Sequence, residues 1–341
     1  MTQMHQGAVQ QLVTSMLGAD RASRELERVS LDPRLLIETA SVSRAGLAAA
    51  LNVVLFADLL DRVPTGAAYV AEQAAKGIKI CFDHSALRTI RFDGPTGALP
   101  AGETAFRRIL EPLGYDVAAV YPLPALRMTG HAFRHLDLPE RMPQFFVSEL
   151  HVDQFDAGFA EAAHAVFDSS RDPLGDDGHE MLARFVAGDW IAIAQAAAVL
   201  PQIVAAFGRH HDQPGLADYE RLLTDSAEAA WIATEGNAVN HVTDRVPDVY
   251  DVARQQRALG RPIKDRVEVS ESGRIHQTAF RADPVTRAFC MPDGEVERSV
   301  PGSFYEFISR DVVTGKDGKR HLDLRFDSAN AQGIFKMTAA G

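Results

Sequence analysis

The chain has 341 residues, with 35 basic against 46 acidic side chains and a formal net charge of −11. Hydrophobic residues at 46% and charged residues at 24% exclude global disorder and leave room for one large domain or two modest ones. The acidic balance argues against a general binder of nucleic acid or anionic membrane, and two cysteines, Cys81 and Cys290, are too few for a disulfide framework or a cysteine metal site.

The first 76 residues read as helical: Val9, Leu12, Met16 and Leu17 form one apolar stripe, and Leu47, Leu51, Val54, Leu55 and Leu59 form another. Nothing at the N-terminus has the basic start and long apolar core of a signal peptide. At 77 the texture changes. IKICFDHSALRTIRF is rich in β-branched and aromatic residues and predicts a strand; Glu103 to Leu113 predicts a helix. Strands are expected at Asp116–Tyr121, Leu126–His135 and Gln144–Val152, so 77–152 reads as β-α-β-β-β. Residues 153–236 return to helix. Their most apolar stretch, from Val186 to Gly208, is interrupted by Asp189, Gln195, Pro201 and Gln202, which suits a buried helix rather than a membrane span.

From 237 to 312 the β-α-β-β-β texture recurs. NAVNHVTD predicts a strand, Val246 to Ala258 a helix, and Ile275–Phe280, Thr286–Met291 and Ser303–Arg310 three further strands. His84 to Glu149 spans 65 residues, and so does His241 to Glu306, each glutamate following a proline, Pro143 or Pro301. Matching element order and matching polar positions predict a duplicated module. The expected fold is α+β: paired βαβββ modules sharing a central sheet, with a helical N-terminal region, a helical insert and a C-terminal strand and loop over 313–341, all in one composite domain.

His84 and His241 lie in the first strands of the two modules and Glu306 in the last strand of the second. Two imidazoles and a carboxylate on one face of an octahedral ion leave three positions open, which suits Fe(II) binding a chelating substrate and O2. Zn(II) takes a closed tetrahedral set more often. Arg88 follows His84 by four residues and shares its face of the strand, about 13 Å further along at ~3.3 Å per residue. A guanidinium there suits the far carboxylate of a dicarboxylate. Taken singly, each of these residues is more often a core, surface or salt-bridging side chain; only the set of four rises above background. Glu149 is the candidate fourth ligand. It lies one residue further from its proline than Glu306 does, and one residue can turn a side chain to the opposite face. His131/His135 and three His-x-Asp pairs are weaker candidates, and no GxGxxG, P-loop, GxSxG or CxxC is present.

FDHSALRT, NHVT, FYEF and the C-terminal AQGIF resemble a family once known only as a domain of unknown function, whose characterised members are 2-oxoadipate dioxygenase/decarboxylases related to the vicinal-oxygen-chelate superfamily. The resemblance runs from about Gly77 to the C-terminus. It implies iron ligands at His84, His241 and Glu306, a substrate-anchoring arginine at Arg88, and a substrate contact from the C-terminal loop at Ala329 and Asn330. There the family's Val-Ser is replaced, which leaves backbone contact at Ala329 and puts a side-chain contact from Asn330 in doubt. The implied reaction turns 2-oxoadipate and O2 into 2-hydroxyglutarate and CO2, as in lysine catabolism, with Fe(II) as cofactor. The charge balance, cysteine usage and lack of signal or membrane-span patterns separately lead to the expectation of a cytoplasmic protein with no nucleic-acid or membrane partner. The alternatives are a glyoxalase-like lyase or isomerase using all four ligands, and a non-catalytic small-acid-binding protein.

Overall fold

The computed structural model describes residues 7–37, 39–315 and 318–327. The N-terminal region is helical, as α1 (Ala8–Leu17), α2 (Ala19–Arg28), α3 (Arg44–Arg62) and α4 (Pro64–Ala75), with a two-residue strand β1 (Ser41–Val42) before α3. Ser43 caps α3 by accepting the Gly46 amide, and Pro64 opens α4, where its missing N–H costs nothing. Most of α3 is buried around its whole circumference because α1 and α8 lie on one side and the sheet on the other.

The first module is β2 (Phe82–Arg91), α5 (Thr104–Leu110), β3 (Tyr115–Leu123), β4 (Met128–His135) and β5 (Gln144–His151). The insert follows: α6 (Ala157–Phe167), α7 (Asp176–Val186), β6 (Ile191–Ala192), α8 (Ile193–Ala205), α9 (Leu216–Asp225) and α10 (Ala227–Glu235). It is tied back to the N-terminal region where β6 pairs with β1. The second module is β7 (Val239–Arg245), α11 (Val249–Ala258), β8 (Glu268–Val269), β9 (Ile275–Ala279), β10 (Pro284–Met291), β11 (Gly294–Pro301) and β12 (Phe304–Arg310); β13 (Val312–Thr314) and β14 (Arg320–Leu322) pair after it. No helix among the described residues is long and apolar enough to cross a membrane.

One eight-stranded sheet runs β3-β4-β5-β2-β7-β12-β9-β8. Each module contributes four strands in matching order, its first and last strands parallel, and the halves join where β2 meets β7 antiparallel. The fold is therefore α+β with paired βαβββ modules. One detail of the sequence reading is corrected. Thr286–Met291 does not enter the central sheet: it pairs with β11 in a separate hairpin inserted between β9 and β12, and the outer sheet position belongs to the short β8. Alternating patterns mark a strand but not which sheet receives it.

The two faces of the sheet are covered differently. Leu87, Phe145, Val147, Val242, Tyr305 and Phe307 belong to a large core with the N-terminal helices. On the opposite face Ile90 and Leu150 join a second core with α6, α9, α10 and the β10–β11 hairpin. Between that second core and the C-terminal segment at Phe326, the same face opens into a pocket lined by His84, Arg88, Phe146, Asn240, His241 and Phe326.

Candidate metal and substrate site

The cavity is built on the β2–β7 junction, where β-bulges interrupt the ladder twice. Asp83 is the extra residue between the pairs Phe82–Asp244 and His84–Thr243, and Asn240 is the extra residue between Ala86–His241 and Leu87–Val239. Bulges re-aim side chains beside functional sites. Here each stands immediately before one of the two histidines.

His84, His241 and Glu306 come together: one donor atom of each lies within 4.8 Å of the other two. Glu306 Oε2 is 3.4 Å from His84 Nε2 and 3.5 Å from His241 Nε2. All three side chains are buried, and Glu306 Oε1 and His241 Nε2 have no hydrogen-bond partner among the described residues. Each imidazole has its other nitrogen occupied. Asp83 Oδ1 lies 2.9 Å from His84 Nδ1 and Asn240 Oδ1 lies 3.3 Å from His241 Nδ1, which turns both Nε2 atoms toward Glu306; Thr243 Oγ1 stands among them, 3.1 Å from His84 Nε2 and donating to Glu306 Oε2 at 2.7 Å. Two unpartnered buried atoms, Glu306 Oε1 and His241 Nε2, clustered with His84 Nε2 fit a divalent cation, and a two-His, one-carboxylate set suits non-haem Fe(II). Phe304 stacks on His241 at 4.5 Å and the Phe326 ring meets His84 edge-on at 4.9 Å.

The protonation balance follows from the neighbours. Burial alone would raise the Glu306 carboxyl, but His241 and His84 outweigh it and hold the group well below the usual carboxylate range. Burial pushes His241 down. It would push His84 down too, but hydrogen bonds to Asp83 and Glu306 reverse the direction. Asp83 is itself buried, yet Arg310 donates to it through Nε and Nη2, at 2.8 Å for the latter, and keeps it ionised. Arg310 also donates to the carbonyls of Asp323 and Arg325, fixing the segment that carries Phe326.

Arg88 lines the same cavity, as the period-two pattern predicts. It is 1% exposed, and its guanidinium lies 5.3 Å from the centroid of the Trp231 ring, a cation–π distance. Burial lowers its pKa to about 10 against a partial offset from Glu228, so it is still charged at neutral pH.

Glu149 is not brought to this cluster. It faces the opposite side of the sheet, where its carboxylate accepts from the Glu103 amide at 3.0 Å and meets His131 at 3.2 Å and Arg91 at 3.2 Å. Despite burial, these partners depress its pKa to about 2. Register explains why the set stays at three, as the different proline spacing suggested: Glu306 lies two residues beyond the partner of His241, and the position two beyond the partner of His84 is Phe146, which lines the cavity. The equal 65-residue spacings join positions that are not structurally equivalent. Ala329 and Asn330 lie outside the described residues. The sequence reading missed Asp83, Asn240 and Arg310; the first two were signalled only by standing directly before the histidines.

A family profile described as 2-oxoadipate dioxygenase/decarboxylase matches residues 53–337. Among curated proteins of that name, the chloroplastic/amyloplastic protein of Oryza sativa subsp. japonica is 22% identical over 290 residues, covering 77% of this chain and 70% of that protein. The Mycobacterium bovis protein is 27% identical over 253 residues, covering 70% of this chain and 57% of that one. Among solved structures, a glyoxalase superfamily protein from Ralstonia eutropha JMP134 is 49% identical with a TM-score of 0.88, over 94% of this chain and 98% of that one. The hydroxyglutarate synthase of Oryza sativa, solved with 2-oxoadipate, is 20% identical with a TM-score of 0.65, over 89% and 96% of the two chains, a likeness of fold.

Proposed function

Since this chain belongs to the 2-oxoadipate dioxygenase/decarboxylase family, we propose that it is an Fe(II)-dependent dioxygenase/decarboxylase acting on a 2-oxo dicarboxylic acid, with 2-oxoadipate the first candidate. The products are the one-carbon-shorter 2-hydroxy acid, here 2-hydroxyglutarate, and CO2. The observation that carries this reading is a pocket lined by His84, His241 and the buried Arg88, with Glu306 clustered against the two histidines. The O. sativa enzyme solved with 2-oxoadipate supports the choice of acid.

Iron, when bound, supplies the redox chemistry with O2. The protein's own part is positioning. His84, His241 and Glu306 would hold the ion, which would supply the site at which a 2-oxo acid chelates and O2 reacts. Arg88 takes the far carboxylate, with Trp231 stacked behind it to limit its swing. Phe146 and Phe326 present apolar rings to the cavity and keep bulk water from the reacting end. The atoms balance: C1 leaves as CO2, one oxygen of O2 enters the new carboxylate formed from the keto carbon, and the other becomes the hydroxyl.

The test is oxygen uptake by anaerobically iron-loaded protein given 2-oxoadipate. O2 consumed and CO2 released in equal amounts are expected; no uptake across a panel of 2-oxo acids would overturn the proposal. Arg88→Ala is expected to raise the Michaelis constant for 2-oxoadipate by ~10-fold or more, the scale of a hydrogen bond to a charged group, and to leave 2-oxohexanoate almost unchanged. Equal effects on the two acids would remove Arg88 from the distal-anchor role.

A further inference from the structure

The two bulges at the β2–β7 junction do the same thing to their histidines and differ in everything else. Asp83 accepts from His84 Nδ1, and its carboxylate is otherwise taken up by Arg310. Asn240 accepts from His241 Nδ1 through Oδ1, but its Nδ2 is buried with no hydrogen-bond partner among the described residues. Asn240 is 1% exposed and lines the cavity beside His241, whereas Asp83 does not line it. The amide orientation is fixed by chemistry: a histidine coordinating through Nε2 must carry its proton on Nδ1, which needs Oδ1 as acceptor and turns Nδ2 the other way. A buried amide donor left without a partner costs ~1–3 kcal/mol, a cost that a ligand acceptor in the cavity removes.

We infer that Asn240 is a substrate-binding residue, its carboxamide nitrogen donating to an oxygen at the metal-chelating end of the 2-oxo acid while its oxygen holds His241. The chelating end is specified by sequence adjacency to His241; the distal carboxylate belongs to Arg88, further along β2. The inference rests on the 2-oxo acid reading above and adds a residue to it.

Two variants separate the tasks. Asn240→Asp keeps an acceptor for His241 and removes the donor; Asn240→Ala removes both. The measurements are iron content after dialysis and anaerobic titration of the iron-loaded protein with 2-oxoadipate and with 2-oxohexanoate, followed by the visible absorption of the chelate. Asn240→Asp is expected to retain iron like the parent protein and to bind both acids ~10- to 100-fold more weakly; Asn240→Ala is expected to lose affinity for both acids and for iron. Equal weakening of the mono- and dicarboxylate separates this residue from Arg88. Parent-like binding of both acids by Asn240→Asp would overturn the inference and leave the 2-oxo acid reading standing. Failure of the parent protein to bind either acid would overturn both.

Discussion

Glu149 and Glu306 are both almost fully buried carboxylates on last strands of their modules, and what stands opposite them decides their roles. Glu306 faces two imidazoles whose outer nitrogens are already engaged and accepts from Thr243 through Oε2, while its Oε1 has no partner among the described residues and is available to a cation. Glu149 faces a backbone amide, His131 and Arg91, which satisfy it within the protein. Its folded pKa of about 2 lies below the ordinary 4.5, so its contribution to stability is complete above pH 4.5 and is lost as pH falls through about 2. Glu149→Gln is therefore expected to lower the melting temperature at pH 7, at a cost of ~1–3 kcal/mol, with the gap to the parent protein closing as pH falls below about 4. Iron content should be unchanged. Iron loss in this variant would return Glu149 to the ligand set, and a gap that widens in acid would contradict the assigned ion pairs. In the sequence only the one-residue difference in distance from Pro143 and Pro301 separated the two glutamates; the register against β2 and β7 gives that difference its structural meaning.

At the scale of elements, period two was enough to put His84 and Arg88 on one face, but the bulges at Asp83 and Asn240 break that period and no local pattern announced them. The β10–β11 hairpin escaped for a related reason: its strands read as well as any in the sheet, and their destination depends on packing against α9, where Phe289 meets Tyr219 at 4.5 Å. Helix α4 positions the site from behind. It packs on β12, and Gly66 is where the helix meets the Tyr305 side chain: a Cβ there would lie 2.8 Å from Tyr305 Cδ2 and 3.0 Å from Tyr305 Cβ. Tyr305 is fully buried and directly precedes Glu306, so it has little room to yield. Gly66→Ala is expected to destabilise the fold by ~1–3 kcal/mol through overpacking and, by displacing β12, to weaken metal binding as well. Thermal melting with and without Co(II), together with a metal-competition titration, would read both effects. An unchanged melting temperature would show that the contact relaxes without moving the strand.

For the whole molecule, a net charge of −11 is a property of its outer surface and says little about a cavity that holds Arg88 and gathers donors for a cation. The duplicated texture was legible because each module repeats its strand and helix signals in order; the shared site was harder, because its ligands are distant in sequence and meet only across β2 and β7. That separation has a thermodynamic consequence. His84 comes from one module and His241 and Glu306 from the other, so the proposed ligand set exists only when the halves are joined, and a metal held there is expected to favour the folded chain over the unfolded one. A divalent ion at about 100 times its dissociation constant should add ~2.7 kcal/mol to stability. For a chain of this size that is a rise of about 4 °C in melting temperature. The rise should appear with Fe(II) under anaerobic conditions or with Co(II), reverse on chelation, and vanish in His84→Ala, in His241→Ala and in Glu306→Gln. A shift of equal size in those three variants would place the ion elsewhere. A shift lost in His84→Ala alone would confine binding to one module and sever the link between cofactor and domain architecture.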